Sequence, residues 1–258
     1  MTGGLLRCAV ADGVATITID RPDKRNAMTA AMWRELPGLL AVLAADPDVR
    51  VLVLTGAGGN FCAGADIAEL PTINRGEGAH LSTRAEEALA AFPKPTIAAI
   101  DGYCVGGGCQ LAAACDLRFG TGDARFGITP ARLGIVYPGT ATARIVRLIG
   151  PSAAKYLLYS ADLVDARHAL RIGLLDEIVP AEGLTARITA FAGTLTTRSL
   201  LTQRATKEIV DAVVAGEPFG DRVAYWREEA DAGGDAAEGV AAFLDRRTPR
   251  FTWTTPRA

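Results

Sequence analysis

Residues Val14 to Asp20, Val-Ala-Thr-Ile-Thr-Ile-Asp, alternate apolar and polar positions with period two, the pattern of a half-buried strand. Arg21 to Asn26 is a polar turn, and Thr29 is placed to cap a helix that runs to about Ala45. Pro37 inside that pattern predicts a kink or a break. Val49 to Thr55 is a nearly continuous apolar run and predicts a buried strand, closed by the turn Gly56-Ala57-Gly58-Gly59. The stretch from Pro71 to Phe92 is polar before it becomes helical, and it predicts a mobile loop or lid carrying an exposed His80. Thr96 to Ile100 reads as the next strand, a helix follows from Gly106 to about Cys115, and Leu117-Arg118-Phe119 is a short strand. Helical periodicity marks Thr142 to Ile149, Ser152 to Tyr159 and Ala166 to Ile172, before a last short strand at Ile178-Val179.

Beyond about Ala186 the pattern is helical throughout, at Ser199 to Val214, Phe219 to Ala232 and Val240 to Arg247. The reading is therefore an α/β core over 1–185, with helices packed outside sheets, and a helical C-terminal region over 186–258.

Composition narrows the function classes. The 258 residues are 49% hydrophobic and 22% charged, with a net charge of −2, and show no clustered basic excess of the kind a nucleic-acid surface needs. No apolar run approaches the roughly 20 residues of a membrane helix, and Met1 to Val10 lacks an apolar signal core, so a cytoplasmic protein is expected. Cysteines stand at 8, 62, 104, 109 and 115 without a CxxC pair, which reads as reduced, buried thiols rather than metal ligands. The two histidines, His80 and His168, exclude a multi-histidine metal site, and no metal is expected.

Two glycine-rich segments carry the candidate chemistry: Asn60-Phe61-Cys62-Ala63-Gly64-Ala65-Asp66-Ile67 and Gly102-Tyr103-Cys104-Val105-Gly106-Gly107-Gly108-Cys109-Gln110. Each follows a predicted strand, and the second enters an alanine-rich helix. Small residues leave backbone N–H groups open to an anionic oxygen, and a helix start adds its positive end. Two such donors aimed at one point would form an oxyanion hole. Gly56-Ala57-Gly58-Gly59-Asn60-Phe61 is no dinucleotide fingerprint, because Phe61 stands where the third glycine belongs and no helix follows at once.

The paired segments resemble the enoyl-CoA hydratase/isomerase (crotonase) superfamily. So do Arg21-Pro22 with Asn26-Ala27-Met28, Phe92-Pro93-Lys94-Pro95, Cys115-Asp116-Leu117-Arg118, Phe126-Gly127, Leu133-Gly134-Ile135 and Gly173-Leu174-Leu175. The resemblance implies a crotonase spiral of ββα units, a helical trimerisation region giving homotrimers or hexamers, and an acyl-CoA ligand whose CoA is part of the substrate, with no separate cofactor. It places the thioester carbonyl between the N–H groups of Ala65 and Gly107. It implies that Ala63, Gly64, Ala65, Asp66 and Ile67 line the CoA channel, and that Lys24, Arg25 and, more remotely, Arg246 meet phosphates. A solvated turn accounts for Lys24 and Arg25 equally well.

Two departures from the family pattern shape the expected chemistry. Gln110 stands where hydratases carry one glutamate, and Pro130 where hydratases and isomerases carry another. Neither residue activates water or moves a proton. Loss of CO₂ from a malonyl-type thioester needs no base, and the segment Thr129 to Tyr137 is similar to that of methylmalonyl-CoA decarboxylases. That group has a functional tyrosine at the position of Tyr137, but histidine and glutamate at those of Ala65 and Gln110. Tyr137 is thus a candidate to orient a carboxylate or give a proton, with a pocket-wall aromatic as the alternative. Gln110 either hydrogen-bonds the acyl group or packs. Arg132 is expected on a surface turn, with pairing to a substrate carboxylate as the alternative, and Glu69 in an exposed first helical turn, with a rescue role as base as the alternative. A decarboxylase-like lyase leads; an atypical hydratase or isomerase and a non-catalytic acyl-CoA-binding protein stay open.

Overall fold

The computed structural model describes residues 5–74 and 81–254. A six-stranded sheet runs in the order β1 (Leu6–Ala11), β2 (Val14–Ile19), β3 (Val51–Gly56), β4 (Thr96–Ile100), β6 (Leu117–Thr121) and β9 (Glu177–Val179). Its first pair is antiparallel and the others are parallel. A smaller sheet joins β5 (Tyr103–Val105), β7 (Arg125–Gly127) and β8 (Val164–Asp165).

The central strands β3 and β4 are buried on both faces, which explains the apolar run of β3. Its side chains alternate: Leu52 and Leu54 join the large core with Ile17, Ile19, Ala98 and Ile100, while Val51 and Val53 face the opposite way with Ile97 and Phe119. The large core is covered by α1 (Ala30–Ala45), α3 (Leu81–Ala90), α4 (Gly107–Ala114) and α5 (Gly139–Ser160), and the second face by Leu184, Ile188 and Ala192 of α7 (Leu184–Thr196). By packing, α7 belongs with the sheet, so the change of architecture falls between α7 and α8 (Leu200–Ala215), later than the composition shift suggests. A separate apolar cluster of Leu200, Leu201, Trp226 and Trp253 holds α8, α9 (Gly220–Gly233) and the segment after α10 (Asp235–Leu244).

Several local expectations change. Helix α1 runs unbroken through Pro37, losing the one backbone bond that proline cannot donate. Strand β1 has no counterpart in the sequence reading, although Asp12-Gly13, both at positive φ, is a strong hairpin signal. The segment expected as a lid is in part ordered core. Its first turn is α2 (Leu70–Asn74), and α3 buries Leu81, Ala85, Glu86 and Leu89; residues 75–80, with His80, lie outside the described residues. Helix α5 contains a non-helical Gly150 ahead of Pro151, matching the two helices read from periodicity.

Candidate functional site

The two glycine-rich segments are zipped together by backbone hydrogen bonds. Cys62 N donates to Tyr103 O at 2.8 Å and Val105 N to Cys62 O at 2.9 Å, so the first segment runs beside β5. On its other side Met28 N donates to Gly64 O at 2.8 Å and Asp66 N to Met28 O at 2.9 Å. In this parallel bridge the Ala65 N–H faces away from Met28. Buried Asn26 fastens the entry, its Nδ2 donating to Ala57 O at 2.8 Å and Asn60 O at 2.6 Å.

The second segment turns at Gly106 (φ +54°, ψ −112°), a conformation that an L side chain resists, and Gly107 opens α4. A Cβ on Gly107 would lie 3.3 Å from Ala65 N and 2.9 Å from Trp33 Cζ2, so a side chain here would intrude between the two segments. Among the described residues neither Ala65 N–H nor Gly107 N–H has a hydrogen-bond partner. Both border a small cavity of about 90 Å³, whose walls include Trp33, Gln110, Pro130, Val136 and Tyr137. No carboxylate lines it among the described residues. Among the described residues Trp33 Nε1, fully buried in that wall, also lacks a partner.

Tyr137 does not aim its proton into the cavity. Its hydroxyl donates to Gly106 O at 3.0 Å, and Gln110 N donates to the same oxygen at 3.1 Å. Burial, with the neighbouring cysteines and Glu86 adding to it, pushes the phenol well above its usual range, so the hydroxyl stays a neutral donor. Gly106 O belongs to the peptide unit that carries the Gly107 N–H, so Tyr137 holds that unit in place.

Gln110 is buried, and its Nε2 donates to Glu86 Oε2 at 3.0 Å. Glu86 is fully buried on α3 and also accepts from Thr140 Oγ1 at 3.0 Å and from Arg144 Nε at 2.9 Å. Sequence reasoning missed this carboxylate. The available signal was helical phase: Glu86 stands four residues after Ser82 and three before Leu89, on the buried face of α3.

The other named residues are placed as follows. Lys24 ends a short 3₁₀ turn and is exposed; Arg25 is exposed too, its guanidinium 4.4 Å from the Tyr103 ring centre, and its carbonyl accepts from Ala63 N at 2.9 Å. The Asp66 carboxylate pairs with Arg21 Nη1 at 2.6 Å and caps Ala68 N at 3.0 Å, and Arg21 holds it below the usual carboxylate range. Ile67 is exposed, and Arg246 follows α10 as an exposed residue at φ +55°. Glu69 is half-buried rather than exposed, and its Oε2 accepts from Ala30 N at 2.7 Å at the start of α1. Arg132 pairs with Asp162 on the surface. Burial pushes the Cys62 thiol up to about 12 and the Cys104 thiol well above its usual range, so neither is a ready nucleophile. Among the described residues no three His, Cys, Asp or Glu side chains converge as a metal site, and no helix is long and apolar enough to cross a membrane.

This arrangement meets a family pattern over nearly its whole length: residues 9–254 match the model of the enoyl-CoA hydratase/isomerase family. The chain belongs to that family. It is 35% identical over 248 residues to a crotonyl-CoA hydratase of Syntrophomonas wolfei, covering 92% of this chain and 94% of the relative. A putative enoyl-CoA hydratase of Thermus thermophilus is 37% identical over 250 residues, covering 92% and 97%. Among solved structures, an enoyl-CoA hydratase/isomerase family member superposes with a TM-score of 0.92 at 39% identity, covering 97% of both chains. The enoyl-CoA hydratase of Bacillus anthracis gives 0.89 at 30% identity, covering 96% of this chain and 99% of the other. The α/β core described above is thus the crotonase fold of the enoyl-CoA hydratase/isomerase family, with its helical C-terminal region.

Proposed function

We propose that this family member acts on a short acyl-CoA thioester and stabilises the thioester enolate between the N–H groups of Ala65 and Gly107. The observation that carries this reading is a pair of backbone donors, unpaired among the described residues, bordering a cavity with no carboxylate on its described walls. A chemistry that needs an oxyanion hole and no base fits such walls. In loss of CO₂ from a 2-carboxyacyl thioester, the bond between C2 and the carboxylate carbon breaks. Its electron pair becomes the enolate, with the charge on the thioester oxygen, and CO₂ departs. Water then supplies a proton to C2, and the hydroxide it leaves combines with the released CO₂ as bicarbonate. One oxyanion-hole donor contributes about 3 kcal/mol to such a step. Tyr137 assists by fixing the Gly106–Gly107 peptide, and Gln110 of α4 lines the same cavity.

In this reading Ala63, Gly64, Asp66 and Ile67 border the CoA channel through their backbone, since the Asp66 carboxylate is already paired with Arg21. Lys24, Arg25 and Arg246 are exposed cations for the phosphates. A second reading, water addition to an enoyl-CoA, is favoured by the names of the relatives, and it needs an acid–base pair beyond the described cavity walls. Purified protein incubated with 2-carboxyacyl-CoA and enoyl-CoA thioesters, with products read by mass spectrometry, separates the two. CO₂ loss supports the first, water gain the second, and no turnover of any thioester above the blank refutes both. Assembly into trimers is part of the same proposal; the exposed Phe243 and Leu244 on α10 supply apolar surface for it, and a monomer by light scattering would contradict it.

A further inference from the structure

The proposed chemistry leaves Glu86 unused, yet the molecule holds it firmly. Its carboxylate is fully buried and accepts three hydrogen bonds, from Gln110, Thr140 and Arg144. A carboxylate paired with a guanidinium offers acceptors alone, so the edge of the Gln110 amide that meets it is the nitrogen edge. The amide is planar, so Oε1 is carried on the other side. A glutamine without such a partner would present oxygen or nitrogen at one place with little difference in energy. Thr140 and Arg144 fix the Glu86 oxygens and thereby remove that freedom. Gln110 also lines the cavity beside Gly107.

We propose that Glu86 is a positioning residue: it fixes the Gln110 amide with its oxygen toward the acyl cavity, where that oxygen accepts a hydrogen bond from an O–H group. The inference rests on the acyl-CoA reading above. The O–H belongs either to a hydroxyl of the acyl group or to the water that protonates C2. In both cases the group stands at the site as a fixed dipole, with the negative charge of Glu86 one side chain further back.

Two measurements on the intact protein test this. One is calorimetric binding of matched short acyl-CoA thioesters with and without a hydroxyl on the acyl chain. The other is the handedness of the C–D bond formed at C2 during turnover in deuterated water. Wild type is expected to prefer the hydroxylated thioester about five- to tenfold if the hydroxyl is the partner, or to form a single-handed C–D bond if water is. Glu86→Gln pairs with Gln110 in either amide orientation and is expected to erase that preference with Tm held within a few degrees. Gln110→Leu leaves the Glu86–Arg144 pair intact and reads the same loss should Glu86→Gln fold poorly. Neither preference in wild type, or a preference that survives in folded Glu86→Gln or in Gln110→Leu, overturns the proposal. Failure of every thioester to bind instead fails the acyl-CoA reading.

Discussion

Replacing Tyr137 by phenylalanine separates two roles for that residue by magnitude. The variant keeps the ring and deletes one donor to Gly106 O, which still accepts from Gln110 N at 3.1 Å. If Tyr137 acts through the Gly106–Gly107 peptide, the Gly107 N–H remains and loses polarisation and aim. Complete loss of an oxyanion donor costs about 3 to 4 kcal/mol. Cooperative strengthening is about 10–30% per bond, so the expected loss is about 0.3–1.2 kcal/mol, or about two- to eightfold in kcat/KM. The stability loss is about 1 kcal/mol, the net value of one hydrogen bond. If Tyr137 instead hands a proton to the substrate, the loss is about a hundredfold or more. The assay is steady-state kinetics on the thioester found to turn over, with the infrared stretch of a ¹³C-labelled thioester carbonyl in the bound state. Positioning predicts a smaller red shift of that band in Tyr137→Phe than in wild type. A hundredfold loss of kcat/KM with an unchanged carbonyl band would refute the positioning argument.

The remaining predictions concern the same site and its support. Gly107→Ala puts a methyl 2.9 Å from Trp33 Cζ2 and 3.3 Å from Ala65 N, and kcat/KM should fall by about a hundredfold or more; retention of wild-type rates would remove this pair of N–H groups as the oxyanion hole. Gln110→Glu places a second carboxylate about 3 Å from Glu86, so the pair shares a proton and one member titrates high. A carboxyl raised in the folded state gives stability that is lost as pH rises, so this variant should lose Tm relative to wild type between about pH 5 and 8; parallel Tm curves would contradict that. Lys94 is buried beneath α1, donating to Leu43 O and Asp46 O, and burial pushes it down from 10.5 to about 8. Between those pH values the unfolded chain holds the extra proton, so wild-type stability should rise with pH relative to Lys94→Met, by about 1–3 kcal/mol; a flat difference in denaturant midpoints would refute it.

The sequence by itself determined the elements whose signal is local. The alternation in β2, the apolar run of β3, the Thr29 cap and the glycine pairs are written in neighbouring residues, because backbone geometry and burial of a whole strand depend on the residue types in that stretch. The candidate oxyanion hole was legible for the same reason, since Gly64 and Gly107 are demanded by close backbone approach. Tertiary structure alone decided which polar groups meet. Glu86 lies on α3 and Gln110 on α4, and their hydrogen bond depends on two helices crossing at a particular phase, which no short window of sequence encodes. The Tyr137 hydroxyl likewise reaches a carbonyl 31 residues away, and packing decided between the two open roles by giving its proton to the backbone. Burial makes such partners obligatory, because an unpaired polar group inside costs about 1–3 kcal/mol, but it is the packing of the elements that selects which partner is within reach.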